Sequence, residues 1–280
     1  MKNNNLIIGG TGKTGRKVVE KLQNLGQNVR VGSRNAEPAF DWENDATWDA
    51  CLEGINQVYI TFQPDLAVPG ALTKIELFIT KAKNAGVKKV VLLSGKGERE
   101  AELCEQVVAN SGLDYTIVRA SWFMQNFSES FFMDSILAGH AALPKPEAKV
   151  PFVHTDDIAD VVVAALLDSN HNTQTYELTG PNVLTFEEVM NIIAQASGRK
   201  IQFTPIALSA YIDLLKSHNV PDEYVWLINY LFSHVLDAKG NDQISNDIEK
   251  VLGRKPMDFI QYAEQTAKTG VWNPAVSAQA

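Results

Sequence analysis

No run of about 18 apolar residues, the length a helix needs to cross a lipid bilayer, occurs in the chain, so no membrane partner is expected. Basic side chains are outnumbered: 25 Lys and Arg against 33 Asp and Glu give a net charge of -8. A nucleic-acid partner requires a concentrated basic face, and none is expected here. Only two cysteines are present, Cys51 and Cys104, with neither metal-ligand nor paired spacing; buried thiols in a reducing cytoplasm account for them, and no metal site is expected. The start, MKNNNLIIGG, enters an apolar run at once and leaves no room for a secretory signal, which gives a cytoplasmic location as the expectation. Internal repeats and low-complexity tracts are also lacking. What is there is 280 residues, 45% hydrophobic and 21% charged, enough for one large domain or two small ones with a full core.

The most informative stretch is Asn5 to Gly15, NLIIGGTGKTG. Its GKT resembles the end of a nucleoside-triphosphate loop, but that motif needs a glycine five positions before Gly12, where Ile7 stands. The glycines instead satisfy two overlapping patterns, Gly10-x-Gly12-x-x-Gly15 and Gly9-x-x-Gly12-x-x-Gly15. Such a loop turns sharply off a strand, lets backbone approach a pyrophosphate, and packs the following helix closely on the sheet. The flanks agree: Leu6-Ile7-Ile8 reads as a strand, and Val18, Val19 and Leu22 have helical spacing. A pyrophosphate would lie at that helix's N-terminus, where N–H groups and the dipole favour an anion. A glycine turn with no ligand is the plainer alternative.

QNVRVGSR reads as the second strand, roughly 20 residues past the loop, where a dinucleotide site that takes NAD carries an acidic residue on the ribose. Here Arg34 ends the strand, with Arg30 just before it. A guanidinium pairs with a 2'-phosphate and a carboxylate repels one, so NADP(H) is favoured over NAD(H), unless Arg34 only caps a solvated strand end. AFDW is a candidate third strand, DATWDACLEG a helix and QVYITF a fourth strand. A helix from about Ala71 to Ala85, the strand VKKVVLLS, the helix REAELCEQVVANSG and the strand DYTIVRAS follow. Strands buried on both faces and alternating with helices specify an α/β fold, a doubly wound parallel sheet with its ligand at the carboxyl ends of the strands. Beyond Ser121 the pattern loosens. KVPFVHTDDIADVVVAALLDS gives a strand-like entry and a helix capped by Thr155, and TYELTGP one more strand. FEEVMNIIAQASG, SAYIDLLKSH, DEYVWLINYLFSHV and DIEKVLG are helices broken by a strand KIQFTPI. The expected division is a dinucleotide-binding Rossmann domain over residues 1–180 and a smaller, mainly helical subdomain over 181–280 that closes on the cofactor.

The segments GGTGKTG, GSR, FDW, KNAGVKKVVLLS, SGLDYTIVRASWFMQNF, VPFVHTDDIADVVVAAL, YELTGPNVLTFEEV and LGRKP together resemble, in order, the NmrA-like family of atypical short-chain dehydrogenase/reductases. The resemblance spans about residues 4 to 265 and is nearest to reductases of the festuclavine synthase or agroclavine dehydrogenase type, which reduce an iminium carbon with NADPH. Other members it resembles reduce quinones, and some bind NADP(H) as sensors without turnover. The resemblance implies that Gly9, Gly12 and Gly15 hold the pyrophosphate, lined by Thr11, Lys13 and Thr14. It implies that Ser33 and Arg34 meet the ribose phosphate, that Asp41 and Trp42 lie near the adenine, and that Thr61, Phe62 and Gln63 end the fourth strand beside the cofactor. Ser94, Gly95 and Lys96 then lie near the nicotinamide, and Trp122, Phe123, Asn126 and Phe127 wall a substrate pocket.

One pairing common in short-chain reductases is missing. Those enzymes place Tyr and Lys one helical turn apart, so that the ammonium lowers the phenol pKa and the phenol protonates the new alkoxide. None of the seven tyrosines, Tyr59, Tyr115, Tyr176, Tyr211, Tyr224, Tyr230 and Tyr262, has lysine four residues on. The candidate donors are Ser94, with a purely structural strand-end serine as its alternative, Lys96, with a solvent-facing lysine as its alternative, and His154 at the substrate mouth, with a satisfied histidine beside a helix cap as its alternative. Tyr224, Trp226, Tyr230 and Phe232 supply an apolar lid or pack the small domain. The expectation is a reductase that passes hydride from NADP(H) to a small apolar or aromatic acceptor, an imine or a quinone. Its alternative is a non-catalytic NADP(H) sensor that controls a partner protein. An epimerase of nucleotide sugars would need the absent Tyr and Lys.

Overall fold

The computed structural model describes residues 3–273, and among them no helix is long and apolar enough to cross a membrane. In chain order the elements are β1 (Asn4–Ile8), α1 (Gly15–Asn24), β2 (Asn28–Gly32), α2 (Trp48–Leu52), β3 (Gln57–Ile60) and α3 (Ala71–Asn84). Then come β4 (Lys89–Gly95), α4 (Arg99–Ala109), β5 (Asp114–Ala120), α5 (Met133–Ala138), β6 (His140–Leu143) and α6 (Thr155–Leu167). The chain continues through β7 (Gln174–Leu178), α7 (Phe186–Ser197), β8 (Gln202–Pro205), α8 (Leu208–Ser217), α9 (Asp222–Tyr230), α10 (Asp247–Leu252) and α11 (Phe259–Lys268).

Six strands form one parallel sheet in the order β2-β1-β3-β4-β5-β7. Leu6, Ile7 and Ile8, like Val58, Tyr59 and Ile60, are buried on both sheet faces, which is why these strands read as unbroken apolar runs. The chain runs from β1 outward to β2 and then returns to β3 on the other side of β1. This reversal opens a crevice at the carboxyl ends of β1 and β3, the place where such sheets bind ligands.

AFDW is not a strand. Its only ladder contact is an isolated bridge between Asp41 and Asn44, and β2 is left as the sheet edge. The reason is a competing aromatic cluster: Phe40, Trp42, Trp48 and Phe78 meet with centroids 5.0 to 6.0 Å apart, mostly edge to face. Burying these rings against α3 outweighs one short edge ladder. QVYI is therefore the third strand, VKKVVLLS the fourth and DYTIVRAS the fifth.

Two compact units share the chain. Among the described residues, the first comprises 3–121, 155–179 and 245–255; the second comprises 122–154, 180–244 and 256–273. The boundary expected at 180 is one of the places where the chain crosses between the units; the others are at 121, 154, 244 and 255. Residues 245–255 belong to the first unit because charge holds them there. Arg254 reaches Asp157 and Asp160 of α6 at 2.6 Å each, while Lys17 and Lys21 of α1 pair with Asp156 and Asp160 at 2.9 and 2.7 Å.

The second unit has β6 and β8 as a parallel pair and a core of Phe127, Phe132, Phe152, Phe186, Phe232 and Phe259. Its helix α7 opens on a capping box: Thr185 Oγ1 accepts from the Glu188 N–H at 3.2 Å, and Glu188 accepts from the Thr185 N–H at 2.7 Å. The stretch before α6 makes only isolated bridges, Phe123 with Val153 and Val150 with Leu184. Three elements, α5, β6 and α11, have no counterpart in the sequence analysis.

Trp48 is fully buried and touches three of the other rings in the aromatic cluster, so Trp48→Ala is expected to cost roughly 3–5 kcal/mol. Urea unfolding followed by circular dichroism measures it, and a loss below about 1 kcal/mol would contradict the role given to the cluster.

Candidate functional site

At the end of β1 the chain turns through Gly9, whose φ of +67° is the left-handed region that favours glycine. The N–H groups of Gly9 and Gly10 both donate to the Gly32 carbonyl of β2, at 2.9 and 3.3 Å, and the Gly12 N–H donates back to the Gly9 carbonyl at 2.8 Å. Helix α1 then starts in direct contact with this turn. A Cβ on Gly15 would lie 2.1 Å from the Gly9 carbonyl oxygen and 2.7 Å from its carbon. A Cβ on Gly12 would meet only the Gly9 oxygen, at 3.2 Å, and Gly12 and Thr11 are exposed. The loop therefore offers open backbone beside a helix N-terminus whose first turn holds no acidic residue. This cradle fits a diphosphate in both shape and sign.

The residues expected to line it divide by what their side chains do. Lys13 is half-buried at the loop. Thr14 is buried, and its Oγ1 accepts a hydrogen bond from the Tyr59 phenol at 3.0 Å. Burial pushes the Tyr59 phenol above its ordinary pKa, which keeps it a donor. Thr61 braces two strand ends: its hydroxyl donates to the Ile8 carbonyl at 3.0 Å, and its own carbonyl accepts from the Trp42 indole at 3.0 Å. Phe62 is half-buried and tilts against Trp42 at 4.8 Å, and Gln63 is exposed.

After β2, the Ser33 carbonyl accepts from the N–H groups of Ala36 and Phe40 at 3.2 and 2.9 Å. This closes a turn that leaves Ser33 half-buried and Arg34 exposed, and among the described residues no carboxylate pairs with Arg34. Arg30 is occupied elsewhere. Its guanidinium donates to the carbonyls of Cys51 and Glu53 at 2.8 Å, capping the end of α2. Asp41 and Trp42 serve the fold: the Asp41 carbonyl accepts from the Trp48 indole at 2.7 Å, and Trp42 is buried among aromatic rings.

At the carboxyl end of β4 the two candidate proton donors are both committed. Ser94 is buried and donates to Glu105 Oε1 at 2.6 Å, so its proton points at a carboxylate on α4. Glu105 in turn accepts a bidentate pair from Arg119 of β5, at 2.6 to 3.0 Å. Lys96 is buried rather than solvent-facing, with its ammonium 3.8 Å from Glu177 of β7. Glu105 thus organises a polar knot that joins α4, β4 and β5, and the sequence analysis did not single it out. Asp65 and Glu98, at the exits of β3 and β4, were also missed. The available signal was the pair of acidic residues at the ends of adjacent strands.

In the second unit, Trp122 stacks on Phe132 at 6.3 Å and meets Phe186 and Phe232 edge to face. Phe127 stacks on Phe132 at 4.8 Å and is fully buried, while its carbonyl accepts from the Trp272 indole at 2.8 Å. These two expected wall residues are spent on the unit's own core, and only Phe123 and Asn126 keep exposed surface. His154 is buried edge to face with Tyr262 at 5.7 Å, a packed histidine. Of the expected lid, Tyr224 and Trp226 are exposed, whereas Tyr230 and Phe232 are buried.

The NmrA-like family matches residues 1–264. The chain belongs to the NmrA-like family. It is 30% identical to "Prestalk A differentiation protein A" of Dictyostelium discoideum, over 93% of this chain and 91% of that one. Festuclavine dehydrogenase of Aspergillus fumigatus is 29% identical, over 93% and 96%. Among solved structures, an NADPH-dependent quinone oxidoreductase from Escherichia coli, complexed with NADPH, superposes with a TM-score of 0.75 at 21% identity, covering 93% of this chain and 99% of that chain. At that identity the likeness speaks to the fold.

The geometry separates the partners of Glu105. Ser94→Ala removes one hydrogen bond to a carboxylate that Arg119 still holds, and is expected to cost about 1–2 kcal/mol. Arg119→Met leaves a buried carboxylate without its cation and is expected to cost roughly 3–5 kcal/mol. Urea midpoints of the two variants test this; equal losses would show that Glu105 is not held chiefly by Arg119.

Proposed function

We propose that the chain is an NADP(H)-dependent reductase that transfers hydride to a small apolar or aromatic acceptor, an iminium or a quinone. The observation that carries this reading is the loop from Gly9 to Gly15, where the Gly9 carbonyl occupies the space of a Gly15 side chain and the exposed Gly12 leaves backbone open at the start of α1. Membership of the NmrA-like family and the 29% identity to a festuclavine dehydrogenase support hydride chemistry. The bound dinucleotide would supply a hydride, two electrons with one proton, from its reduced nicotinamide.

The residues of this chain do the rest. The loop backbone and the α1 N-terminus hold the diphosphate; Arg34, exposed at the end of β2 with no carboxylate partner among the described residues, pairs with the 2'-phosphate. The brace from Thr61 to Ile8 and Trp42 fixes the exits of β1 and β3, so the crevice keeps its shape on binding. Ser94 donates its proton to Glu105, and the Lys96 ammonium is buried 3.8 Å from Glu177. This favours acceptors that draw little on those groups. An iminium carbon is neutralised by hydride alone and leaves no alkoxide to protonate.

Calorimetry of NADPH and NADH binding, followed by loss of nicotinamide absorbance with a panel of quinones and cyclic iminium compounds, tests the proposal. Turnover of either class is expected, with NADPH bound more tightly than NADH. Tight NADPH binding with no turnover across the panel would favour the sensor reading instead. Arg34→Ala is expected to weaken NADPH by about 10-fold or more through loss of a charge-assisted phosphate contact, and NADH by less than about 2-fold. Equal losses for both would remove Arg34 from the phosphate.

A further inference from the structure

Residues 245–255 return to the first unit as a short strap, and the groups that hold it there reach the helix carrying the phosphate loop. At the start of the strap the Ser245 N–H donates to Thr179 Oγ1 at 2.9 Å, and the Glu177 N–H of β7 donates to Asp247 at 2.9 Å. At its end α10 stops at Gly253, whose φ of +67° turns the chain, and Arg254 follows at once. The Arg254 guanidinium acts as a fork: Nη1 donates to Asp157 Oδ1 and Nη2 to Asp160 Oδ2, each at 2.6 Å. Asp160 is shared. Its other oxygen, Oδ1, lies 2.7 Å from the Lys21 ammonium of α1, so one carboxylate of α6 is clamped between the strap and α1.

A second pair fixes how α1 lies on α6: Lys17 Nζ is 2.9 Å from Asp156 Oδ1. The two lysines are four residues apart and so are the two aspartates, so a row of one helix meets a row of the other with both helices running the same way. Lys17 is the third residue of α1 and Asp156 the second of α6, which sets the two first turns level. Helices packed side by side have axes about 8–10 Å apart. The first turn of α6 holds Asp156 and Asp157, whereas that of α1 holds no acidic residue and carries the phosphate cradle. The carboxylates of α6 therefore stand one helix width from the place proposed for a diphosphate. Their charge works against an anion there, and the charges of Lys17, Lys21 and Arg254 work for it.

We infer that Arg254 is a positioning residue of the dinucleotide site: through Asp157 and Asp160 it offsets the negative charge of α6 beside the phosphate cradle and holds Asp160 where Lys21 anchors α1. The inference rests on the dinucleotide-binding part of the reductase reading. The guanidinium is spent on α6, so it acts by charge and position rather than by contact. Removing it makes this corner of the molecule more negative by one charge and opens one arm of the Asp160 clamp. The diphosphate is common to NADPH and NADH, so both lose affinity together. This separates Arg254 from Arg34, whose loss falls on NADPH.

Arg254→Gln tests the assignment, because the amide keeps a donor toward Asp157 and removes the charge. Calorimetry at low salt is expected to show both NADPH and NADH bound about 10-fold more weakly than by the wild type. In about 1 M salt, where the screening length is about 3 Å, the gap should narrow to about 2-fold. Arg254→Lys keeps the charge but gives up the fork, and is expected to lose less than about 3-fold. Arg254→Gln combined with Asp160→Asn removes one charge of each sign and is expected to bind within about 3-fold of the wild type.

No loss in Arg254→Gln, or a loss that salt leaves unchanged, would overturn the inference. So would a double variant that binds as weakly as Arg254→Gln, since packing rather than charge would then explain the effect. The double variant decides the matter if Arg254→Gln is too unstable to titrate: a fall of about 10-fold or more in its binding would overturn the inference. A wild type that binds neither dinucleotide would end both this role and the reductase reading, whereas wild-type binding with no change in Arg254→Gln would end this role alone.

Discussion

The first unit depends on one close approach, that of the Gly15 backbone to the Gly9 carbonyl. With 2.1 Å between that oxygen and the site of a Gly15 Cβ, any side chain would push α1 off the sheet. Because α1 can sit this low, its N-terminus points across the crevice where the strand order reverses. Lys17 and Lys21 then lie at the right height to pair with Asp156 and Asp160 of α6. The same approach leaves Gly9 in its left-handed turn under Thr61, which ties the exits of β1 and β3 together. Loop, helix, charge pairs and brace thus follow from a single steric requirement.

Much of this was legible in the sequence because it is local. The glycine spacing, the apolar run Leu6-Ile7-Ile8 and the helical spacing of Val18 and Leu22 fall within a few turns of one another, and periodicity reads such patterns well. AFDW failed for a reason that local patterning cannot see: Phe40 and Trp42 alternate as a strand would, but their rings are claimed by Trp48 and Phe78 from other elements. The interleaving of the two units was equally hidden, since it depends on Arg254 finding Asp157 far back in the sequence.

The candidate site was legible in its backbone and much less so in its side chains. Glycines and strand ends declare where a phosphate fits, and Arg34 declares a charge. Whether Ser94 or Lys96 is available depends on what lies opposite, and the sequence does not show that Glu105 and Glu177 lie there. Trp122 and Phe127 have the composition of a pocket wall and the burial of a core. Glu98 was overlooked because an acidic residue in a run of charged side chains looks solvated. Only the contact with Gly95 shows that it folds back over the strand end.

The return of residues 245–255 to the first unit bears on how the molecule is made. The Glu177 N–H of β7 donates to Asp247, and Arg254 neutralises Asp157, which is almost wholly buried. Until residue 255 has left the ribosome, the last strand of the sheet lacks its edge partner and Asp157 of α6 lacks its ion pair with Arg254. By then much of the second unit has already been synthesised. No contiguous gene fragment encodes the nucleotide-binding half, and its completion during translation must wait for the second half to emerge.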